Sequence, residues 1–181
     1  MNEIALPSWA IVSEKRRAHI ERVAKLIKQW ASLLDISVSE SARWLRAAYF
    51  HDALKDATPE QLEDLAPEEW KFPKLRHGPA AASAARLHGE DDLGVLDAVY
   101  YHSIGYTGWD EVGRMLYMAD FLEPGRKFSS NSHRELVELV PQNPQAALFQ
   151  VTKQRVKQLA ESGWPIPEET RMFWNEQLRS R

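Results

Sequence analysis

Six residues of the chain have the types and the spacing to gather metal ions: His19, the adjacent pair His51 and Asp52, His77, His102 and Asp120. They follow one another at roughly 20 to 30 residues, the distance from helix to helix in a bundle, so each can come from a different element and all can converge on one cavity. Neutral imidazole with carboxylate suits iron, manganese, cobalt, nickel or zinc, and four histidines with two aspartates exceed what one ion needs. Two ions are the natural count. Taken singly, any of these histidines is more simply a hydrogen-bonded core or surface residue. The aspartates do not fit so bland a role. Asp120 follows Leu116 by four and Tyr117 by three, and Asp52 follows Ala48 and Tyr49 by the same steps. Both carboxylates therefore turn toward apolar surroundings, where an unpaired charge is costly.

Composition narrows the chemistry further. The chain of 181 residues has no cysteine, which excludes disulfides, thiolate metal sites and a cysteine nucleophile, so any metal must sit on nitrogen and oxygen. Its 23 basic and 26 acidic residues give a formal net charge of -3 without a long basic block. That argues against a broad cationic face for polymeric nucleic acid and leaves a small anionic ligand open. No apolar run approaches the ~18 residues of a membrane span. Met1 to Val12 carries Glu3 and Pro7 and lacks a secretory pattern, so the expected location is the cytoplasm.

The elements that must hold these residues read as helices throughout, because apolar positions recur at helical spacing and no alternating segment meets hairpin turn residues. The expected fold is all-α. A first helix over about Ser13 to Leu34 places His19 at the edge of a stripe made by Ile20, Val23, Ala24, Ile27 and Ala31. A second, about Ser39 to Asp56, carries Leu45, Ala48 and Tyr49 on the face that Asp52 continues. Thr58-Pro59-Glu60-Gln61 has the cap, the proline and the capping-box partner of a short helix, followed by a loop to Pro73. Pro79 can open an alanine-rich helix closed by Gly89, and Asp92 can cap the next, running to about His102. Asp110 caps a helix through Leu122. Ser132 with Glu135, and Asn143 with Pro144, announce two more, the second closed by Gly163, and a last one starts near Glu168. His88 and His133 read as surface residues, and of the seven tryptophans nothing selects one that stacks on a base.

At this point the residues carry a likeness. The order His19, His51-Asp52, Asp120 resembles the HD superfamily of metal-dependent phosphohydrolases, and His77 and His102 match the two further histidines of its two-metal members. Phe50-His51-Asp52-Ala53-Leu54-Lys55, Arg76-His77-Gly78-Pro79, Tyr101-His102-Ser103-Ile104-Gly105 and Ala119-Asp120-Phe121-Leu122-Glu123-Pro124-Gly125-Arg126 are similar to the symmetrical bis(5'-nucleosyl)-tetraphosphatases of the YqeK type. The likeness runs from about His19 to Arg126, with one departure at Ser103-Ile104, where a more hydroxyl-rich pair is expected. It implies an HD-domain helical bundle over residues 1–181 whose helical part from about 127 matches loosely. It also implies a two-metal hydrolase. Asp52 would bridge the ions, His19, His51 and Asp120 would complete one, and His77 and His102 would hold the other, iron being the first candidate.

The substrate implied is diadenosine tetraphosphate and related dinucleotides, cut to two nucleoside diphosphates. Lys55, three residues after Asp52, and Arg126 would grip the polyphosphate and serve the reaction beside Asp52. Gly78 and Ser103 would add substrate contacts. Two other readings stay open at this stage, a phosphohydrolase of mononucleotides and a nucleotide-binding sensor without turnover. A homodimer is compatible with all of them.

Overall fold

The computed structural model describes residues 4–66, 73–125 and 131–180. Among these residues the structure is helical and holds no strand. Four helices form the centre: α1 (Glu14–Leu33), α2 (Val38–Phe50), α5 (Leu93–Tyr101) and α6 (Glu111–Leu122). The short α3 (Pro59–Glu63) and then α4 (His77–Leu87) follow α2, with α4 packed on α5. α7 (Asn131–Leu139) and α8 (Pro144–Glu161) lie against α6, and α9 (Glu168–Arg179) packs on α8. The core between them is built on Trp30, Trp44, Tyr117, Ile27 and Met115, all fully buried. The indole N–H groups of Trp30 and Trp44 donate to Val137 O and Glu40 Oε1, so these large side chains are buried without an orphaned donor.

The helix starts follow from side-chain caps. Ser13, Ser37, Thr58, Asp92, Asp110 and Asn143 each accept an amide of the first turn, and Thr58 with Gln61 completes a capping box. α8 ends where Gly163 takes a positive φ of 70°.

Four expectations need correction. α2 stops at Phe50 instead of continuing to Asp56, and residues 51–56 form consecutive turns. Its buried stripe is Trp44, Ala47 and Ala48, one step round the helix from Leu45 and Tyr49, and His51 continues it. α4 begins at His77, two residues before Pro79; proline is tolerated there because first-turn amides have no intrahelical partner in any case. α5, by contrast, ends at Tyr101 with His102 as its C-cap, where its end is expected. His133 is buried, its ring stacked on Phe121 at 5.2 Å, which fastens α7 to α6; His88 is exposed as expected.

Candidate metal centre

All six candidate ligands are buried, Asp52 at 3 % and His51 at 0 % exposure, and they come from five places in the bundle. His19 lies on α1, His51 and Asp52 at the end of α2, His77 at the start of α4, His102 at the end of α5 and Asp120 on α6. They fall into two trios. One donor atom each of His19, His51 and Asp120 lie within 4.8 Å of one another, and the same holds for Asp52, His77 and His102.

The imidazoles are oriented from outside. His51 Nδ1 lies 2.7 Å from Ala48 O, His102 Nδ1 2.7 Å from Val99 O and His77 Nδ1 3.1 Å from Lys74 O. Because a carbonyl only accepts, each of these Nδ1 atoms carries the proton and donates. His19 Nδ1 donates in the same way to Glu123 Oε1 at 3.1 Å. All four Nε2 atoms then face inward as lone pairs. His19 and His51 stand 3.4 Å apart by these atoms, and His77 and His102 3.1 Å apart. Two facing lone pairs at that separation repel unless a cation lies between them. Donors held at ~2.1 Å around one ion stand roughly 3 to 3.5 Å from each other, so the arrangement fits a metal ion on nitrogen and oxygen ligands.

Asp52 joins the trios. Its Oδ1 is 3.1 Å from His77 Nε2 and 3.5 Å from His102 Nε2, while its Oδ2 is 3.5 Å from His19 Nε2 and 3.7 Å from His51 Nε2. Asp120 Oδ1 lies 3.2 Å from His19 Nε2. Burial pushes the pKa of His51 down to about 3 and that of His77 down to about 4, which keeps both rings neutral and available as ligands near pH 7. Burial opposes protonation of His19 as well, but the neighbouring carboxylates of Asp120 and Glu123 favour it and raise the pKa. Burial also opposes the charge on Asp52, yet the imidazoles around it hold the carboxyl well below its usual range.

Of the other expected residues, Lys55 Nζ lies 3.1 Å from His77 Nε2, and Ser103 Oγ donates to His102 Nε2 at 3.0 Å. Gly78 is buried between helices: a Cβ there would meet Tyr100 O at 2.8 Å, so what the glycine provides is the close approach of α4 to α5 that brings His77 to His102. Arg126 lies outside the described residues.

Three participants escaped the reading of the sequence. Arg16 Nη1 donates to Asp52 Oδ2, Arg155 Nη2 donates to Asp120 Oδ2 at 2.9 Å, and Glu123 accepts from both His19 and Arg22. Arg16 precedes His19 by one helical turn, a spacing that places both on one face and could have disclosed it.

The HD domain family model matches residues 16–130. A symmetrical bis(5'-nucleosyl)-tetraphosphatase of Bacillus subtilis is 29% identical over 137 residues, which is 71% of this chain and 73% of that protein. A protein of Mycoplasma genitalium, named a probable nicotinate-nucleotide adenylyltransferase/Ap4A hydrolase, is 32% identical over 65% of this chain and only 35% of its own length. Among solved structures, a protein of Clostridium acetobutylicum described as a predicted HD superfamily hydrolase involved in NAD metabolism superposes with a TM-score of 0.80 at 23% identity, covering 94% of this chain and 92% of that one. The chain belongs to the HD domain family. Within that family it is a hydrolase, and its histidines and aspartates form clusters that can bind divalent metal.

Proposed function

We propose that this hydrolase cleaves diadenosine tetraphosphate and related dinucleoside polyphosphates at their centre, giving two nucleoside diphosphates, with two transition-metal ions held by the six clustered residues and iron as the first candidate. The observation that carries the reading is the position of Asp52, whose Oδ1 faces His77 and His102 while its Oδ2 faces His19 and His51. One carboxylate is thereby available to both trios, as a bridging ligand must be. The names of the Bacillus and Mycoplasma relatives support the substrate. Held by these residues, two ions would supply the chemistry of an activated water near neutral pH and of charge stabilisation at phosphorus.

The chain's own contribution is positioning and charge. Glu123 and three backbone carbonyls fix the ring orientations, and Lys55 beside His77 and Arg16 on Asp52 bring cations to where a polyphosphate must lie. Arg126 is proposed as a further phosphate contact on the likeness of its block.

Metal-loaded protein incubated with diadenosine tetraphosphate in heavy-oxygen water should give ADP alone, one molecule of each pair labelled on its terminal phosphate. Asp52→Ala should abolish turnover and lower metal content, whereas His88→Ala, on an exposed residue, should change neither. ATP and AMP as primary products would reject the symmetrical cut. Orthophosphate released from mononucleotides, with the dinucleotide left intact, would favour the mononucleotide reading instead.

A further inference from the structure

Two cavities border the cluster, and Lys74 lines both. The first, about 320 Å³, is lined by Lys55, Lys74, Arg76 and His77 together with Ala57, Pro59 and Leu62, so three cations stand beside one candidate ligand. The second, about 390 Å³, adds an aromatic ring: Ile104, Leu159, Trp164, Pro165 and Pro167 give it apolar walls. Ser103 and Arg155 are also in its wall and reach one trio each, Ser103 through His102 and Arg155 through Asp120. The apolar cavity is therefore one hydrogen bond away from the candidate metal centre. Its size is within the range of small-ligand pockets, roughly 300 to 1,000 Å³.

We propose that the apolar cavity receives a nucleobase of the substrate, stacked on Trp164, while the polyphosphate runs past Lys74 into the cationic recess. This rests on the reading of the centre as one that cleaves nucleotides. A base has two apolar faces and polar edges. The cavity matches it with an indole and two prolines for the faces, and with Gln158 and Ser162 on the wall for the edges. The platform is held in place from behind. Thr170 Oγ1 on α9 donates to Ile104 O at 2.7 Å, and Phe173 fills the space that a side chain at Gly105 would need. These contacts tie α9, which follows the segment carrying Trp164, to the turn that follows His102.

Lys74 supplies the coupling between the two cavities. Its ammonium lies 4.7 Å from the centre of the Trp164 ring, and its carbonyl accepts from His77 Nδ1. An arriving nucleotide offers both partners an exchange, since the base takes the aromatic face and the ammonium moves to phosphate, where a full negative charge attracts it more strongly than the ring quadrupole. The segment that contributes Trp164, Gln158 and Arg155 lies wholly beyond residue 130, where the family model ends.

The test compares two probes on manganese-loaded protein, ADP and inorganic diphosphate, by calorimetry. Trp164→Ala should weaken ADP by roughly 5- to 150-fold, the equivalent of one stacked base, and leave diphosphate binding unchanged. Trp164→Phe should restore most of the loss. Leu159→Trp, which fills the cavity and leaves Trp164 in place, should produce the same selective loss. With the dinucleotide, Trp164→Ala should raise KM and leave kcat within a few-fold. Equal affinity of Trp164→Ala and wild type for ADP would overturn the proposal, as would wild type binding ADP no more tightly than diphosphate, or a parallel loss of both probes. Failure of the wild type to cleave the dinucleotide is a separate result, which would reject the proposed function and leave the ADP comparison intact.

Discussion

A ligand histidine is only as good as the group that holds its other nitrogen. Three of the four candidate imidazoles donate to main-chain carbonyls, which no substitution removes, but His19 depends on the side chain of Glu123. Glu123 is 2 % exposed and has its pKa lowered to about 2; burial alone would raise it, and the hydrogen bonds from His19, Arg22 and the Gly125 amide prevail. The negative charge would make His19 a more basic ligand for a bound metal. Glu123→Gln keeps the shape and removes the charge, so metal affinity should fall about 10- to 100-fold with the fold retained. Competition with a chelator of known affinity measures it, and an unchanged constant would return Glu123 to a purely structural role. The gathering of the six residues was legible because histidine and aspartate on the apolar faces of successive helices are costly to bury unless they meet one another or a cation. Glu123 and Arg155 were not, since glutamate at a helix end and arginine on a helix ordinarily face solvent and only tertiary packing turns these toward the centre.

At the scale of elements, the caps Thr58, Asp92, Asp110 and Asn143 announced themselves, because such side chains act within four residues of chain, whereas Ser132 lies within α7, which begins at Asn131. What depends on contacts between helices did not: the end of α2 at Phe50, the early start of α4 and the burial of His133 against Phe121. Arg43 shows how far such contacts reach. From α2 it pairs with Asp92, the cap of α5, at 2.6 Å and with Asp110, the cap of α6, at 2.7 Å. Those hydrogen bonds from Arg43 hold the Asp92 carboxyl down at about 2. A depressed carboxyl contributes stability above its ordinary value of 3.8 and loses it as pH falls through the folded value. Arg43→Met should therefore cost about 1 to 2 kcal/mol at pH 7, or roughly 2 to 8 °C in Tm. The gap from wild type should close as the pH is lowered from about 4 to about 2. Calorimetric melting over that range decides it, and equal Tm values at pH 7 would show the three-helix node to be solvated and idle.

For the whole molecule, composition and arrangement point in opposite directions. The formal net charge of -3 would repel a polyphosphate, and it was the reason to expect no broad cationic face. Yet Arg16 and Arg155 touch the aspartates of the candidate centre, and Lys55, Lys74 and Arg76 line the recess beside His77. No count of residues could reveal this, because it arises from helices far apart in the chain meeting at one place. The two descriptions predict opposite signs for the effect of salt. If the net charge governs the approach of a dinucleoside tetraphosphate, added salt screens a repulsion and raises kcat/KM. If the local cations govern it, salt screens an attraction and lowers kcat/KM. At low ionic strength the screening length is ~30 Å, comparable with the width of a domain, so both charges are felt; at higher salt only contacts survive. The cations stand within a few ångströms of the ligands, so their field dominates in the mouth of the site, where encounter is decided. We expect kcat/KM for diadenosine tetraphosphate to fall roughly 3- to 10-fold as sodium chloride is raised from about 0.01 M to about 0.3 M, with kcat nearly constant. Arg16→Gln should flatten the slope as well as lower the rate. A rate that rose with salt would mean that the cations gathered at the site are already neutralised by the carboxylates they hold.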